Sequence, residues 1–332
     1  MGKRCNRHSF SDTADITGKT FNIQLHSTED GPGIRTTLFF KGCSMHCPWC
    51  HNPEGIKSYP ELIWYDVRCI GARDCLTACP KGALNLTSEG MTIDQSLCDA
   101  CGECVKACPT TALEVMGQNH TIDALVNMVL RDKIFYEKSG GGVTLSGGEV
   151  SMQAGFAEKL MTVLRGEGVH IALDTCGGSS WKKLQPLVEL SDLVLYDLKL
   201  MNPDQHLKHT GLPLALILEN AKRISKMGKP IWIRTPVIPE YTDTEENIRQ
   251  IANFIKHNLP TVERYDLLVL NNTCAAKYSR LGQDWPLEGM ALIPIKTIEK
   301  LVDTAKDEGL DMVRWSGLTR DKKSKKNKKQ KE

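Results

Sequence analysis

The sequence has no long apolar run. No stretch of its 332 residues approaches the roughly 20 consecutive apolar residues of a membrane-spanning helix, so we expect no membrane partner. The N-terminal residues are polar up to Phe21 and lack the apolar segment of a secretory signal, which leads us to expect a cytoplasmic protein. The main body also has no basic stripe, and we therefore expect no nucleic-acid partner.

Positive charge is concentrated at the C-terminal end. Residues 320 to 332 contain eight Lys or Arg and two acids, so this segment carries +6 and the remaining chain −4 of the net charge of +2. The segment contains no apolar residue. Because it has nothing to bury, we expect residues 319–332 to form a disordered Lys-rich tail.

The chain has 13 cysteines, and most of them lie in tight groups. Such spacing indicates metal ligation in a reducing compartment rather than disulfides. The first group is Cys43-x3-Cys47-x2-Cys50. Three neighbouring thiolates can hold three irons of a [4Fe-4S] cluster and leave the fourth iron open to a small molecule, whereas an electron-transfer cluster normally has four Cys ligands. The alternative is a structural zinc site or a set of buried thiols.

A second set of cysteines follows. Cys98-x2-Cys101-x2-Cys104-x3-Cys108-Pro109 is the full bacterial ferredoxin pattern, in which the fourth Cys ligates the other cluster. Cys69-x5-Cys75-x3-Cys79-Pro80 has the same frame, but Ala72 stands where a Cys is expected. The pattern thus predicts one complete site, formed by Cys79, Cys98, Cys101 and Cys104, and one site of three thiolates, formed by Cys69, Cys75 and Cys108.

The fourth ligand of the three-thiolate site is open at this point. Asp74, water or Cys5 can supply it, or the site can hold a [3Fe-4S] cluster. The alternative is that this site is empty.

Short β-rich apolar runs alternate with amphipathic helical patterns from Thr36 onward. The predicted strands are Thr37–Phe40, Val143–Leu145, His170–Leu173, Leu193–Tyr196, Ile231–Thr235 and Tyr265–Leu270. This alternation predicts an α/β fold with a parallel sheet. Polar residues follow the strand ends, so we expect them to meet at the carboxyl-terminal edge of the sheet, as in a βα-barrel active site.

Two further motifs narrow the family. They are the run from His26 to Thr36, which contains Gly31-Pro32-Gly33, and the run from Ser139 to Glu149, which ends in Gly147-Gly148-Glu149. Together with the first cysteine group and Asp197-Leu198-Lys199, they resemble the radical S-adenosylmethionine (SAM) enzymes that activate glycyl radical enzymes, the group of pyruvate formate-lyase activase. The resemblance covers roughly Phe21 to Leu318.

This resemblance implies a partial (β/α)6 radical SAM barrel with an inserted ferredoxin-like 2x[4Fe-4S] domain. The implied boundaries are 1–64 for the first part of the barrel, 65–116 for the insertion and 117–318 for the remainder. The implied cofactors are [4Fe-4S] clusters and SAM. The implied partners are a glycyl radical enzyme as the protein substrate and a flavodoxin or ferredoxin as the electron donor.

The resemblance also assigns roles to individual residues. It places Cys43, Cys47 and Cys50 at the catalytic cluster, and it places at SAM Trp49, Cys50, His51, Gly147, Gly148, Glu149, Asp197, Leu198, Lys199 and Asn271. Glu149 or nearby carbonyls would receive the SAM ammonium, and Lys199 would pair with its carboxylate. Trp49 is equally compatible with a packing role.

Two more groups of residues follow from the resemblance. Asp174, Thr175 and Asp197, with the carbonyl of Leu195, match a monovalent cation site; the alternative for Asp174-Thr175 is a helix N-cap. Contacts with the partner protein are implied for Asp30, Arg35 and Arg234. The alternatives are a structural Gly-Pro-Gly turn and, for Arg234, an ion pair with Asp174 or Asp197.

The chain departs from the family at some positions. Val150 follows Gly-Gly-Glu where Pro is frequent, and Asn271 stands near the place of a SAM-holding His. The insertion indicates activases of other glycyl radical enzymes, such as those of glycerol, choline, 4-hydroxyphenylacetate or benzylsuccinate chemistry. The runs Cys69–Cys75 and Asn271–Cys274 most resemble the benzylsuccinate synthase activases. Rival interpretations are a radical SAM enzyme acting on a small molecule and a ferredoxin-type electron carrier.

Overall fold

A computed structural model describes residues 16–320. Cys5 and residues 321–332 of the expected tail lie outside the described residues. Its first residues, 319 and 320, are described, and Arg320 N donates to Ile293 O at 3.0 Å. The strands are β1 Thr17–Ser27, β2 Arg35–Phe40, β3 Glu61–Trp64, β4 Leu84–Thr87, β5 Gly90–Ile93, β6 Leu113–Met116, β7 Gln118–Thr121, β8 Gly142–Gly147, β9 Ile171–Thr175, β10 Leu193–Asp197, β11 Ile231–Val237, β12 Val262–Val269 and β13 Val313–Ser316.

Eleven α-helices lie in the same range. They are α1 Asp74–Ala78, α2 Glu103–Ala107, α3 Ile122–Leu130, α4 Lys133–Ser139, α5 Ala154–Gly166, α6 Trp181–Leu190, α7 Pro203–Thr210, α8 Leu214–Lys226, α9 Glu245–Asn258, α10 Ala275–Arg280 and α11 Ile295–Asp307. None of the helices in this part of the chain is long and apolar enough to cross a membrane.

One nine-stranded sheet organises the chain, in the order β13-β12-β11-β10-β9-β8-β2-β1-β7. The strands from β2 to β13 in this order run parallel, while β1 lies antiparallel to both β2 and β7. The six predicted strands correspond to β2 and β8 to β12 and are confirmed. The strands β1, β7 and β13 were not predicted, because β1 and β7 are largely polar and because β7 and β13 have only four residues each.

The two faces of the sheet have different partners. On β2, Leu38 and Phe40 face outward and join the main core with apolar stripes of the helices, such as Leu160 and Leu164 of α5. Phe39, between them, faces a cavity that is also bordered by residues of β8, β9, β10, β11 and β12. Because six parallel strands border one cavity, the sheet curls around it as a partial barrel.

The insertion between β2 and β8 has its own small core. β3 pairs antiparallel with β6, β4 pairs with β5, and Leu62, Cys75, Cys104 and Leu113 pack together between them. The two halves repeat one geometry, since α1 follows Arg73 at φ 67° and α2 follows Gly102 at φ 83°. Ala72 in the first half therefore occupies the position of Cys101 in the second half.

A buried ion pair joins the insertion to the barrel. Lys41, just after β2, is 1% exposed, and its Nζ lies 2.9 Å from Glu61 Oε2 at the start of β3. The other oxygen of Glu61 lies 2.9 Å from Nζ of Lys57, whose side chain is 33% exposed. One carboxylate thus has a buried and a partly exposed partner.

This arrangement provides a matched pair of variants. Lys41→Met should lower the free energy of unfolding by about 3 kcal/mol, because it leaves Glu61 buried with only its outer partner. Lys57→Met should cost less than about 1 kcal/mol, because its charge remains near water. Chemical denaturation under anaerobic conditions measures both. Equal costs for the two variants would show that the buried pair contributes no more than the exposed one.

Candidate functional site

One cavity lies at the carboxyl-terminal ends of the parallel strands and measures about 360 Å³. Its border contains many of the residues that the sequence singled out: Asp30, Cys43, Cys47, Trp49, Cys50, His51, Gly147, Gly148, Asp174, Thr175, Asp197, Lys199 and Arg234. Segments distant in sequence thus meet at one place, as the strand-end pattern predicted.

The three cysteines of the first group lie on an irregular loop after β2. Backbone hydrogen bonds fix its start, since Gly42 N donates to Gly55 O at 2.8 Å and Cys43 N donates to Ile56 O at 2.9 Å. Burial raises the pKa of the Cys47 thiol to about 11 and that of the Cys50 thiol to about 12. These groups are therefore thiols at neutral pH until a metal displaces their protons.

Gly147 and Gly148 pack directly against this loop. Gly147 has φ +119°, and a Cβ there would lie 2.3 Å from the backbone of Phe40. A Cβ on Gly148 would lie 2.2 Å from Gly42 O. Both positions require glycine, because a side chain would force the cysteine loop away from the sheet.

Glu149 has a different role from the expected one. Its carboxylate is 0% exposed and does not border the cavity. It accepts hydrogen bonds from Ser151 Oγ at 2.6 Å, Thr175 Oγ1 at 2.9 Å and Cys176 N at 2.9 Å. The side chain thus ties the Gly-Gly-Glu turn to the end of β9 and is not available at the cavity border. Of the two expected acceptors of the SAM ammonium, Glu149 and nearby carbonyls, only the carbonyls stay a prediction.

Two aspartates and two cations form a network across the cavity. Asp197 Oδ1 accepts from Arg234 Nε at 3.3 Å, and Asp197 Oδ2 accepts from Lys199 Nζ at 2.5 Å. Arg234 Nη2 also pairs with Asp174 Oδ1, and Asp174 Oδ2 accepts from Ser146 Oγ at 2.6 Å. The register of β10 and β11, which sets Asp197 beside Arg234, brings these groups together.

The charges of this network stabilise one another. Burial opposes ionisation of Asp197, but Lys199 and Arg234 outweigh it and lower the pKa of this carboxyl group. Burial alone would likewise lower the pKa of Lys199, yet the negative charge of Asp197 raises it. The ammonium of Lys199 is therefore held charged at the cavity wall, where it can meet an anionic group of a ligand.

The residues of the expected monovalent cation site are paired with other side chains. All four carboxylate oxygens of Asp174 and Asp197 have donors, and Thr175 gives its hydroxyl to Glu149. The cation site stays a prediction, and a cation there would have to displace one of these donors. The N-cap alternative is wrong, because α6 begins only at Trp181. The ion-pair alternative for Arg234 is what the structure shows.

Trp49 borders the cavity, while its ring packs in a second apolar cluster with Leu200, Leu270 and Tyr278. The packing interpretation of Trp49 is thus supported, and its contact with SAM stays a prediction. His51 borders the same cavity, and burial lowers the pKa of its imidazole.

Two further residues expected at SAM do not border the cavity. The Leu198 side chain is 1% exposed in the main core. Asn271 caps the short 3-10 helix Asn272–Cys274, with its Oδ1 accepting from Thr273 N at 3.0 Å. The cavity is instead bordered by the apolar neighbours Leu268, Val269 and Leu270. Neither expected contact is supported by the geometry.

The two candidate partner contacts of the Gly-Pro-Gly run differ in location. Asp30 borders the cavity and accepts from Ser27 Oγ at 2.6 Å and Thr37 Oγ1 at 2.7 Å. Arg35 is 0% exposed and donates to Pro32 O at 3.1 Å and Thr144 Oγ1 at 2.6 Å. Arg35 therefore binds the starts of the strands together and cannot contact a partner, which corrects that expectation.

Sequence reasoning did not assign three residues near the cysteine loop. Cys176 borders the cavity, and its thiol donates to Glu149 Oε2 at 3.1 Å. Its place directly after Asp174-Thr175 at a strand end was the signal that could have found it. Lys277 and Tyr278 of α10 contact the backbone of the loop, and no pattern in their own segment marks them.

The insertion cysteines fall into two groups. Cys79, Cys98, Cys101 and Cys104 border one small cavity. Cys75 lies close enough to Cys69 and Cys108 for their charges to raise the pKa of its thiol, in addition to the larger effect of burial. This is the division that the crossed ferredoxin pattern predicts.

The donor chemistry of all three groups fits iron-sulfur clusters. Each group presents three or four thiols within a compact region, and thiolates are the ligands that these clusters prefer. Within residues 16–320, no three Cys, His, Asp or Glu side chains converge closely enough to hold a single metal ion. Cluster thiolates bind separate irons, so they need no such convergence.

Comparison with known families agrees with this assignment. The Radical SAM superfamily profile matches residues 97–255, and the 4Fe-4S dicluster domain profile matches residues 68–112. The fold and the site thus define a radical SAM protein with a dicluster insertion and with SAM and [4Fe-4S] clusters as cofactors.

Curated relatives narrow the class. The chain is 39% identical to the isethionate sulfite-lyase activating enzyme of Oleidesulfovibrio alaskensis, over 86% of this chain and 93% of that protein. It is 36% identical to the benzylsuccinate synthase activating enzyme of Thauera aromatica, over 87% and 89%. It is 33% identical to the pyruvate formate-lyase 2-activating enzyme of Escherichia coli, over 94% and 97%. The chain therefore belongs to the family of activating enzymes of glycyl radical enzymes.

The position of Ala72 generates a prediction about the three-thiolate site. Ala72→Cys should raise the iron and sulfide content per chain or protect the corresponding cluster from air, because it restores the missing thiolate in a loop of unchanged geometry. Ala72→Val is the matched control and should behave as the wild type. Iron and sulfide analysis with EPR on anaerobic protein measures both. Equal, air-stable content of three [4Fe-4S] clusters in wild type and Ala72→Cys would show that another residue supplies the fourth ligand.

Proposed function

We propose that this protein installs a radical on a glycine of a partner glycyl radical enzyme, with the cluster of Cys43, Cys47 and Cys50 as the catalytic group. The observation that carries the proposal is one cavity that joins these three thiols to the glycine turn and to the charged Lys199. When bound, the reduced cluster would give one electron to SAM and split it into methionine and a 5′-deoxyadenosyl radical. This radical would take a hydrogen atom from the glycine and become 5′-deoxyadenosine.

The residues of the cavity have distinct roles in this proposal. Lys199, held charged by Asp197, pairs with the carboxylate of SAM. Gly147 and Gly148 bring backbone carbonyls close to the cysteine loop, where they can accept hydrogen bonds from an ammonium group. Trp49 and His51 form the wall beside Cys50. Residues Leu268 to Leu270 supply an apolar surface that keeps water from the reacting atoms.

The glycine loop of the partner would enter the same cavity. Asp30 borders it with a carboxylate that two hydroxyl groups orient. Arg234 is available for a peptide carbonyl only if it gives up a contact with Asp174 or Asp197. Binding of the partner peptide by Arg234 therefore requires a rearrangement of the charged network.

The insertion would pass electrons to the catalytic cluster. Its seven cysteines form the two thiol groups described above, and the buried pair of Lys41 and Glu61 connects it to the end of β2, two residues before Cys43. A flavodoxin or ferredoxin is the expected donor.

Several glycyl radical enzymes are candidates for the partner. Relatives named for isethionate sulfite-lyase, benzylsuccinate synthase, trans-4-hydroxy-L-proline dehydratase and pyruvate formate-lyase match at 33–41% identity. Two observations favour different partners. The runs Cys69–Cys75 and Asn271–Cys274 favour benzylsuccinate synthase, whereas the overall sequence identities favour isethionate sulfite-lyase. Both enzymes belong in the test.

The test is the appearance of a glycyl radical by EPR. Reduced protein and SAM, mixed anaerobically with each candidate partner, should give the radical signal with one partner and 5′-deoxyadenosine in amounts that match the radical. Cys43→Ala should abolish both products while the insertion retains its iron. Radical formation by Cys43→Ala at the wild-type rate would contradict the assignment of the catalytic cluster, and 5′-deoxyadenosine without radical on any partner would favour a different substrate.

A further inference from the structure

Helix α10 is short, yet it contacts the cysteine loop of the cavity directly. It follows the Asn271 cap after β12 and contains Lys277, Tyr278 and Arg280. Its contacts cross more than 220 residues of sequence, because the hydrogen bonds of Lys277 and Tyr278 end on residues 50 to 52. None of these side chains borders the cavity, so their effect on its chemistry would be exerted through the loop.

Lys277 and Tyr278 fix the backbone around the third cysteine. The hydroxyl of Tyr278 donates to Cys50 O at 3.0 Å. Lys277 Nζ donates to His51 O at 3.1 Å and to Asn52 Oδ1 at 3.0 Å. Two adjacent carbonyls of an irregular loop are thus held by side chains of one helix, which restricts where the Cys50 sulfur can point.

The ammonium of Lys277 also balances a buried carboxylate. Glu54 is 8% exposed, and its Oε1 lies 3.4 Å from Lys277 Nζ. Its other oxygen, Oε2, has no hydrogen-bond partner among the described residues. Without Lys277 this carboxylate would lie buried next to the cysteine loop with no cation within ion-pair distance in that range.

The same helix reaches the root of the insertion. The guanidinium of Arg280 lies 4.7 Å from the ring centre of Tyr65, and the guanidinium of Arg68 lies 4.0 Å from the same ring. Tyr65 directly follows β3, and Cys69 follows Arg68. One face of α10 therefore holds the cysteine loop, and Arg280 contacts the segment that leads into the three-thiolate site.

We propose that Lys277 and Tyr278 are positioning residues of the catalytic cluster, which fix the Cys50 ligand and place a positive charge beside it, while Arg280 anchors the insertion to the same helix. The proposal rests on the cluster assignment of Cys43, Cys47 and Cys50. A positive charge near a cluster favours its reduced, more negative state, so it raises the reduction potential. Removing Lys277 should therefore lower the potential, and the unbalanced negative charge of Glu54 should lower it further.

The test compares four variants with the wild type. They are Lys277→Met, Lys277→Arg and Tyr278→Phe, with Lys222→Met as the matched control, because Lys222 lies on α8 with its ammonium over the Phe254 ring, away from the cavity. The readout is the midpoint potential of the cluster whose EPR signal changes on addition of SAM, measured by redox titration, together with iron content. The remaining signals of the insertion serve as an internal control for folding.

Lys277→Met should shift the potential of the SAM-sensitive cluster to more negative values. Lys277→Arg should keep the potential close to that of the wild type, and Lys222→Met should leave it unchanged. Tyr278→Phe should broaden the EPR signal or increase loss of iron from this cluster, with a smaller shift in potential. Selective loss of this cluster in Lys277→Met, with insertion signals intact and rescue by Arg, would also support the proposal.

A wild-type potential in both Lys277→Met and Tyr278→Phe would overturn it. If Lys277→Met does not fold, Lys277→Arg and Tyr278→Phe decide alone: wild-type signals in Tyr278→Phe would then overturn the positioning role. Persistence of the SAM-sensitive signal in Cys50→Ala would be a separate result, because it would contradict the cluster assignment itself.

A second readout separates the two contacts of α10. Arg280→Met should increase hydrogen exchange in the segment from Tyr65 to Arg68, because it removes the guanidinium that packs on one face of the Tyr65 ring. Exchange in residues 47–52 should stay close to that of the wild type. Lys277→Met should increase hydrogen exchange in residues 47–52 and leave the segment from Tyr65 to Arg68 close to wild type. The same exchange pattern in both variants would mean that α10 acts only as a structural support.

Discussion

The thiols of Cys43, Cys47 and Cys50 are carried by a loop without regular secondary structure, so its neighbours must fix its backbone. The tightest of these contacts is with the turn after β8, where hypothetical Cβ atoms on Gly147 and Gly148 would lie 2.3 and 2.2 Å from the backbone of Phe40 and Gly42. Gly148 N also donates to Phe40 O at 2.8 Å, and Glu149 N to Gly42 O at 2.7 Å. The cysteine loop and the glycine turn thus form one backbone unit at the cavity edge.

Charge is distributed around this unit so that buried groups are balanced in pairs. Asp174 and Asp197 meet Arg234 and Lys199 inside the barrel, Glu61 meets Lys41 at the root of the insertion, and Glu54 meets Lys277 under the loop. Each pair would be costly to break, because the remaining group would stay buried with its charge. The cavity therefore keeps polar groups in fixed positions, which is the condition for orienting a charged cofactor.

The cysteine groups and the central strands could be predicted from the sequence, whereas the contacts between distant side chains could not. The cysteine groups and the six central strands were found because their signals are local: fixed spacing for the first and short apolar runs for the second. The strands β1 and β7 were missed because their residues are largely polar. The burial of the Glu149 and Arg35 side chains depends on contacts between distant segments, and no local pattern encodes it. The ion pair of Arg234 was one of two alternatives from the sequence, and the register of β10 and β11 decides in its favour. The contacts of α10 with Cys50 and His51 were missed for the same reason, since they join residues more than 220 positions apart.

The central claim is that three cysteines hold a cluster with one iron open to SAM. Electron-nuclear double resonance on the reduced protein with SAM tests it most directly, with ¹⁵N in the amino group or ¹⁷O in the carboxylate of SAM. The account predicts hyperfine coupling of both labels to the SAM-sensitive cluster, and loss of that coupling in Cys50→Ala. Absence of coupling in wild-type protein that holds the cluster and binds SAM would contradict the open iron at this site.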